Sequence, residues 1–380
     1  MAGIYFHIPF CKQACHYCDF HFSTSRKYKD EIINSMLKEL ELQKEYLGRQ
    51  TIETIYFGGG TPSILSAQEI QTFIDRVIHL HPVASGAEIS MEANPDDLTP
   101  QQVKELKTTD INRFSIGIQS FFEEDLKWMN RAHNAEEADS AVKRVQDAGF
   151  ENVTLDLIYG YPLLTDQKWK ANLDKIHELN VPHISAYSMT VESKTALAHF
   201  IAKGKQPEMN DNQSAEQFLF LIEQLKEWGY EHYETSNFAK PNQYSRHNTN
   251  YWKGVSYLGI GPSAHSFNGE ARKWNIANNA KYLESLSLNK IPEEIEILTQ
   301  NNRVNEYIMT SLRTMWGMDL TKIDRDFGSG YSTEIEKNAE GFFDKGWIVK
   351  KAPNTLVLTD SGMLFSDHIS SELFIDVERK

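Results

Sequence analysis

Apolar positions along the first half of the chain follow two periods, one typical of strands and one typical of helices. Six runs alternate as strands do, at residues 4–8, 54–57, 88–93, 113–119, 152–158 and 183–189. Residues 27–47 instead repeat apolar side chains at helical spacing, and helix starts with capping boxes are predicted at Ser66 with Glu69 and at Thr99 with Gln102. Six strand and helix repeats in series predict a parallel sheet or barrel.

Three of these strands carry polar residues on one face and apolar residues on the other. The polar positions alternate through residues 88–92, 113–119 and 152–156. Parallel strands that line a packed interior are apolar on both faces. The polar faces of these three strands therefore predict a lumen filled with water or with a ligand. The fold class expected is therefore α/β, with an open partial (βα)6 barrel. Ligands of such barrels bind at the carboxyl ends of strands, where Glu92, Gln119 and Asp156 lie.

The pattern changes after residue 200, which predicts three regions. Residues 1–200 form the barrel with an N-terminal cysteine loop. Residues 201–290 form an accessory region, with a strong amphipathic helix at 214–230 followed by a loop-rich segment that contains aromatic residues and histidines. Residues 291–380 contain two helical stretches and a strand pair near 347–349 and 356–358, a pattern that resembles a small winged-helix domain.

Composition and charge narrow the classes of function. A chain of 380 residues with 40% hydrophobic content can bury a full core. We expect a cytoplasmic protein, because no segment approaches ~18 consecutive apolar residues and the N-terminus lacks the features of a signal peptide. A formal net charge of -14 disfavours binding to phosphate backbones, so no nucleic-acid partner is expected.

All three cysteines of the chain lie in one short segment, at Cys11, Cys15 and Cys18. Their C-x3-C-x2-C spacing is the most specific short signature of the radical S-adenosylmethionine (SAM) arrangement. A [4Fe-4S] cluster takes four ligands, so three thiolates leave one iron open. The amino and carboxylate groups of SAM can chelate that iron, which places the sulfonium beside the cluster for one-electron cleavage. The three cysteines therefore indicate a cluster and SAM.

Other interpretations of the three cysteines are less favoured. A structural zinc site needs a closed tetrahedron of four ligands, which His7 or His16 would have to complete. Three unrelated buried cysteines are a further alternative. A disulfide framework is disfavoured because three is an odd number and nothing indicates an oxidising compartment.

Further motifs extend the pattern over nearly the whole chain, and together they resemble the HemW-type heme chaperones. These are relatives of oxygen-independent coproporphyrinogen III oxidase within the radical SAM superfamily. The motifs are YFHIPFC from Tyr5, GGGTPS from Gly58, EANP from Glu92, SIGIQSF from Ser115, NRAH from Asn130, DLIYGYP from Asp156, HNTNYW from His247 and GIGPSAHS from Gly259.

The resemblance implies a set of SAM-binding residues. The glycine run follows the second strand, where backbone amides could approach the amino and carboxylate groups of SAM without obstruction. Glu92 is expected to contact the ribose or the amino group. Tyr5 and Tyr17 are expected to flank the cofactor from the cluster side. The remaining implied contacts are Gly59, Gly60, Thr61, Gln119, Arg131 and Asp156.

Two departures from the oxidase pattern favour the chaperone branch. The oxidases carry a further cysteine directly after the triad, where this chain has Phe20, and they carry an extension before the triad, where this chain has only ten residues. The HNTNYW block resembles the one associated with heme handling, which makes His247 a candidate heme ligand, although a structural histidine among packed aromatic residues gives the same pattern.

Three hypotheses follow from the sequence. The first is a heme chaperone that binds heme as cargo, delivers it to recipient heme proteins, carries a [4Fe-4S] cluster and binds SAM. The second is a radical SAM enzyme, such as a coproporphyrinogen III oxidase-like decarboxylase. The third is a zinc-stabilised protein without redox chemistry.

Overall fold

The computed structural model describes residues 1–351 and 353–375. Its largest feature is a sheet of twelve strands in the order β12-β11-β10-β9-β1-β2-β3-β4-β5-β6-β8-β7. These strands are β1 (Ala2–Ile8), β2 (Ile52–Gly59), β3 (Val83–Ala93), β4 (Arg113–Gln119), β5 (Val153–Tyr159), β6 (His183–Ser188), β7 (Glu231–Glu234), β8 (Asn237–Ala239), β9 (Tyr257–Ile260), β10 (His265–Phe267), β11 (Ala271–Asn275) and β12 (Glu293–Ile297).

The first six strands confirm the predicted parallel barrel. Each pairs in parallel with the next, from β1 with β2 through β5 with β6. The sheet begins with β12 and ends with β7, which do not pair with each other, so the barrel is open. Apolar side chains such as Met91 and Val153 lie in the hydrophobic core, on the face opposite the polar residues.

Strands from beyond residue 200 extend this sheet at both edges. β9 pairs in parallel with β1, and β10, β11 and β12 follow in antiparallel pairs. At the other edge, β8 pairs with β6 and β7 pairs with β8. The three-region division stays a prediction, but the sheet itself crosses the expected boundaries at residues 200 and 290.

Helices connect the strands as the apolar pattern indicated. The predicted capping box at Ser66 and Glu69 is present, whereas Gln102 donates to the carbonyl of Leu65 and leaves Thr99 as a simple cap. The helices are α1 (Lys29–Leu42), α2 (Ala67–Leu80), α3 (Pro100–Leu106), α4 (Glu123–Trp128), α5 (Ala135–Asp147), α6 (Asp166–Leu179), α7 (Ala196–Ala202), α8 (Asp211–Glu227), α9 (Arg246–Trp252), α10 (Asn279–Ser287), α11 (Gln300–Leu312), α12 (Leu320–Phe327), α13 (Tyr331–Asp344), α14 (Asp360–Met363) and α15 (Ser366–Glu372).

The C-terminal region contains a second, three-stranded sheet. Its strands are β13 (Met318–Asp319), β14 (Ile348–Lys351) and β15 (Thr355–Leu358), in the order β13-β15-β14. The predicted strand pair is β14 with β15, and α11, α12 and α13 precede it. Residues 352 and 376–380 of the predicted third region lie outside the described residues. None of the described helices is long and apolar enough to span a lipid bilayer.

Candidate functional site

Two adjoining cavities occupy the polar side of the barrel. The cysteine cavity, about 410 Å³, is lined by all three cysteines and by the ends of β2 to β6. The histidine cavity, about 930 Å³, is lined by β1, α9 and the segments around β10 and β11. Their common wall consists of Asp19, Phe20, Gly59, Glu92 and Tyr187, which line both cavities.

Hydrogen bonds hold two of the three thiols against the ends of the barrel strands. The hydroxyl of Thr61, just after β2, donates to Cys11 Sγ at 3.4 Å, and Arg131 Nη1 donates to Cys15 Sγ at 3.4 Å. Arg131 is itself fixed by bonds from Nη2 to Asn94 Oδ1 at 2.6 Å and to the carbonyl of Gly117 at 2.8 Å. The cysteine loop is therefore attached to three different parts of the barrel.

The donor geometry disfavours the zinc alternative. Within residues 1–351 and 353–375, no three cysteine, histidine or carboxylate side chains converge on a point that could hold one metal ion. His7 uses both ring nitrogens, with the Tyr5 hydroxyl at 3.2 Å and the His21 carbonyl at 2.9 Å. The Nδ1 of His16 lies 2.9 Å from the Trp128 carbonyl. Cluster thiolates bind different irons and need no common point, so this triad suits a cluster better.

The amides of Gly59 and Gly60 form hydrogen bonds within the protein. The amide of Gly59 donates to Glu92 Oε2 at 3.2 Å, and the amide of Gly60 donates to the carbonyl of Ile8 at 2.9 Å. A Cβ on Gly60 would lie 2.6 Å from the carbonyl oxygen of Phe10. Both amides are therefore bonded within the protein, while both glycines line the cysteine cavity, and their contact with SAM stays a prediction.

Two carboxylates lie in the cysteine cavity. Glu92 accepts hydrogen bonds from the Tyr56 hydroxyl at 2.8 Å and from Gly59, and Asp156 accepts one from the Ser115 hydroxyl at 3.1 Å. Burial raises the pKa of Glu92 to about 7, and burial raises the pKa of Asp156 to about 7 as well. A positively charged ligand would favour the ionised form of both groups, since opposite charge lowers a carboxyl pKa.

Two unsatisfied polar atoms in the same cavity fit a polar ligand. Gln119 Oε1 and Arg131 Nε are buried without a hydrogen-bond partner, although buried polar atoms of folded proteins are nearly always paired. Gln119 also has a left-handed φ of 64°, a conformation that costs free energy and is concentrated at functional sites. The cysteine cavity therefore offers an acceptor, a donor and two carboxylates, which match the hydroxyl, carboxylate and cationic groups of SAM.

His247 lies in the wall of the histidine cavity, but both of its ring nitrogens are hydrogen-bonded. Its Nδ1 lies 2.8 Å from Thr54 Oγ1, its Nε2 lies 2.8 Å from the Tyr251 hydroxyl, and its ring stacks on Tyr56 at 4.8 Å. Only 2% of the residue is exposed. Burial lowers the pKa of His247 to about 3, so the ring is neutral. As a heme ligand, His247 would have to give up one of these two hydrogen bonds.

Comparison with known proteins identifies the family. The Radical SAM superfamily profile matches residues 5–176. The heme chaperone HemW of Bacillus subtilis is 30% identical over 372 residues, which cover 97% of this chain and 98% of that protein. The HemW of Escherichia coli is 38% identical over 269 residues, 69% of each chain. The chain belongs to the HemW family of the radical SAM superfamily.

A solved structure supports the fold of this HemW-family chain. Coproporphyrinogen III oxidase (HemN) from Escherichia coli, described as a radical SAM enzyme, superposes with a TM-score of 0.85. The match covers 98% of this chain and 90% of that chain at 21% identity, which shows a shared fold and nothing about activity. The partial radical SAM barrel expected from the sequence is confirmed.

The structure brings most of the predicted residues of this HemW-family site together. Tyr5 is the exception among the implied SAM contacts, because it lies in the histidine cavity with His247. The polar faces of β3, β4 and β5 do face the lumen, as expected. The predicted residues that line the cysteine cavity are Cys11, Cys15, Tyr17, Cys18, Gly59, Gly60, Thr61, Glu92, Gln119, Arg131 and Asp156.

Sequence reasoning missed several residues of the HemW-family site. Asn94 connects Thr61 to Arg131, and its place in the EANP motif was the available signal. Tyr187 continues the polar face of β6 beyond Ser185 and lies in the wall between the cavities. His265 lines the histidine cavity, and the GIGPSAHS motif contains it without indicating a role.

Proposed function

We propose that this protein is a heme chaperone that binds heme and delivers it to recipient apoproteins. The observation that carries the proposal is the similarity to heme chaperones over nearly the full length of both chains. We also propose that the protein carries a [4Fe-4S] cluster on Cys11, Cys15 and Cys18 and binds SAM in the cysteine cavity.

The chemistry of the cysteine cavity supports the cluster and SAM. Three thiols face a cavity that also contains Glu92, Asp156, Gln119 and Arg131. The cluster would supply an open iron and an electron to bound SAM. The carboxylates would hold the cationic groups of SAM, and Arg131, already anchored to Asn94, would orient its carboxylate.

The histidine cavity supports heme as cargo. Its volume of about 930 Å³ lies at the upper end of the range for small-molecule sites. Its wall combines aromatic rings with cations, which suits a flat apolar macrocycle that carries two propionates. The aromatic and cationic members are Tyr5, Phe20, Tyr56, Tyr187, Tyr251, Trp252, Lys253, Tyr257, Phe267, Arg272, Arg303, Tyr307, Lys322 and Phe327.

Heme titration beside a decarboxylase assay tests the function. We expect the anaerobically reconstituted protein to bind ferric heme with a saturable change in its absorption spectrum, and to release no carbon dioxide from coproporphyrinogen in the presence of SAM. Transfer of the bound heme to an apoprotein then tests delivery. Release of carbon dioxide over multiple turnovers would contradict the chaperone proposal and favour the decarboxylase.

Asp156→Ala is expected to weaken SAM binding. Loss of a buried acceptor that bonds the ligand costs roughly 1 to 3 kcal/mol, and calorimetric titration of the cluster-loaded protein measures it. Asp156→Asn, which keeps an acceptor oxygen but no charge, should fall between wild type and Asp156→Ala. Equal affinity in all three proteins would remove Asp156 from the SAM site.

A further inference from the structure

His265 differs from the other histidines of the large cavity in that its ring nitrogens are unused. It begins β10, is exposed, and lines the histidine cavity. Within the described part of the chain, neither of its ring nitrogens has a hydrogen bond. Its ring centroid lies 6.1 Å from that of Trp274. An imidazole that faces an aromatic cavity with both nitrogens available can serve as a metal ligand.

Each of the other three histidines of this cavity has at least one ring nitrogen in a hydrogen bond. Both nitrogens of His7 and both nitrogens of His247 are hydrogen-bonded. His21 uses Nε2 on the Asn279 side chain at 2.8 Å. Among the four histidines that line this cavity, His265 is the one with no hydrogen bond to either ring nitrogen within the described residues.

The backbone around His265 is also held in an unusual conformation. Ser263, two residues earlier and in the cavity wall, has a left-handed φ of 67°. A Cβ on Gly259 would overlap the carbonyl oxygen of His265, so β9 and β10 approach as closely as glycine allows. Local strain of this kind persists where surrounding structure fixes it, and it is concentrated at binding sites.

The guanidinium of Arg303, which no carboxylate of the described residues pairs with, lines the same cavity. Arg272 pairs with Glu306, and Lys322 pairs with Asp326 at 2.8 Å. No carboxylate of the described residues pairs with Arg303, and its Nε is buried without a hydrogen bond. Arg303 as a whole is half-buried, but its buried Nε lacks a partner, and a carboxylate is a group that the planar fork of a guanidinium can bind.

We propose that His265 is an axial ligand of the heme iron and that Arg303 binds a heme propionate. The proposal rests on heme binding as the proposed function and deepens it by naming the site. His265 coordinates through a nitrogen that the fold leaves unbonded, while His247 stays in its hydrogen bonds with Thr54 and Tyr251 as part of the wall.

Titration of the full-length protein with ferric heme tests the assignment. His265→Ala should lower the affinity by about tenfold or more, since even partners that only orient a metal ligand are worth 10 to 100-fold, and should shift the Soret band. Added imidazole should restore the wild-type band in His265→Gly. His79→Ala, at an exposed position on α2, is the surface control. Unchanged iron content and circular dichroism would show that the variants fold.

Arg303 gives an independent readout. Arg303→Ala should weaken heme binding by about tenfold, the value of one charge-assisted hydrogen bond, without moving the Soret band, and Arg303→Lys should recover part of the affinity. A wild-type band and affinity in His265→Ala would overturn the assignment of His265 and leave the chaperone proposal standing. Failure of the wild-type protein to bind heme would instead overturn the chaperone proposal itself.

Discussion

Replacing Cys15 with alanine is expected to abolish the visible absorbance of the iron-sulfur cluster. Each thiolate of the triad would bind a different iron, and the sequence contains no fourth cysteine that could substitute. The change would also leave Arg131 without the sulfur that accepts from its Nη1 at 3.4 Å. Iron and sulfide content after anaerobic reconstitution, measured beside the absorption spectrum, tests this expectation.

The neighbouring position provides a matched control for Cys15. Ala14 is exposed in the same loop, and its backbone carbonyl, not its side chain, accepts from Asn130 Nδ2 at 2.7 Å. Ala14→Ser should therefore keep the full cluster. Cluster content near wild type in Cys15→Ala would refute the cluster assignment, while loss in both variants would point to damage to the loop.

Removal of the Glu39 carboxylate is expected to cause the largest loss of stability. Glu39 on α1 is completely buried, and it accepts from the Gly261 amide at 2.8 Å, Asn275 Nδ2 at 2.6 Å and the Tyr282 hydroxyl at 2.5 Å. Glu39→Ala would leave the Gly261 amide and the Tyr282 hydroxyl buried and unpaired, and Asn275 Nδ2 would keep only its bond to the Gly261 carbonyl. Breaking a buried polar network of this kind costs about 3 to 5 kcal/mol, which denaturant unfolding measures.

Two further variants make the Glu39 prediction specific. Glu41→Ala, on the same helix, removes only an exposed carboxylate that pairs with Lys44 and Arg76 and should cost about 1 kcal/mol or less. Glu39→Gln keeps the size of the side chain and one acceptor oxygen, so its cost should lie between the two. Equal stability of Glu39→Ala and Glu41→Ala would show that the buried network contributes little.

The pH dependence of stability should also change in Glu39→Gln. Burial raises the pKa of Glu39 to about 7, above its ordinary value of 4.5. Between pH 4.5 and pH 7 the folded protein therefore keeps a proton that the unfolded chain has lost. This contribution to stability is complete below pH 4.5 and is lost as the pH rises towards 7. The difference in free energy of unfolding between wild type and Glu39→Gln should therefore become smaller as the pH rises across that window.

The barrel strands and their polar faces could be predicted because each signal is local. Alternation in residues 88–92 and 152–156 assigns Glu92 and Asp156 to the lumen without knowledge of any partner strand, since side chains of a strand alternate between faces. The cysteine spacing is equally local. These predictions depend only on the order of residues, and the structure places Glu92 and Asp156 on the lumen face as expected.

The histidine cavity could not be predicted because it depends on pairing between distant segments. β9 lies beside β1, which brings residues near 260 to the start of the chain. Nothing in residues 255–275 indicates that partner, and short antiparallel strands there resemble loops. Tyr5 lines that cavity because the second half of the lumen is formed by strands that sequence periodicity does not reveal, and its contact with SAM stays a prediction. The HNTNYW motif makes His247 a candidate heme ligand, but only the structure shows that both of its ring nitrogens are hydrogen-bonded.

The common wall between the two cavities has a thermodynamic consequence. Glu92 accepts from Gly59 and Tyr56, and it faces both spaces, so a ligand that changes its ionisation or position on one side alters the surface offered to a ligand on the other. Under the proposed function, any factor by which SAM changes the affinity for heme must equal the factor by which heme changes the affinity for SAM, because the two binding free energies share one cycle. Release of the heme cargo and occupancy of the SAM site would then be governed by the same coupling free energy.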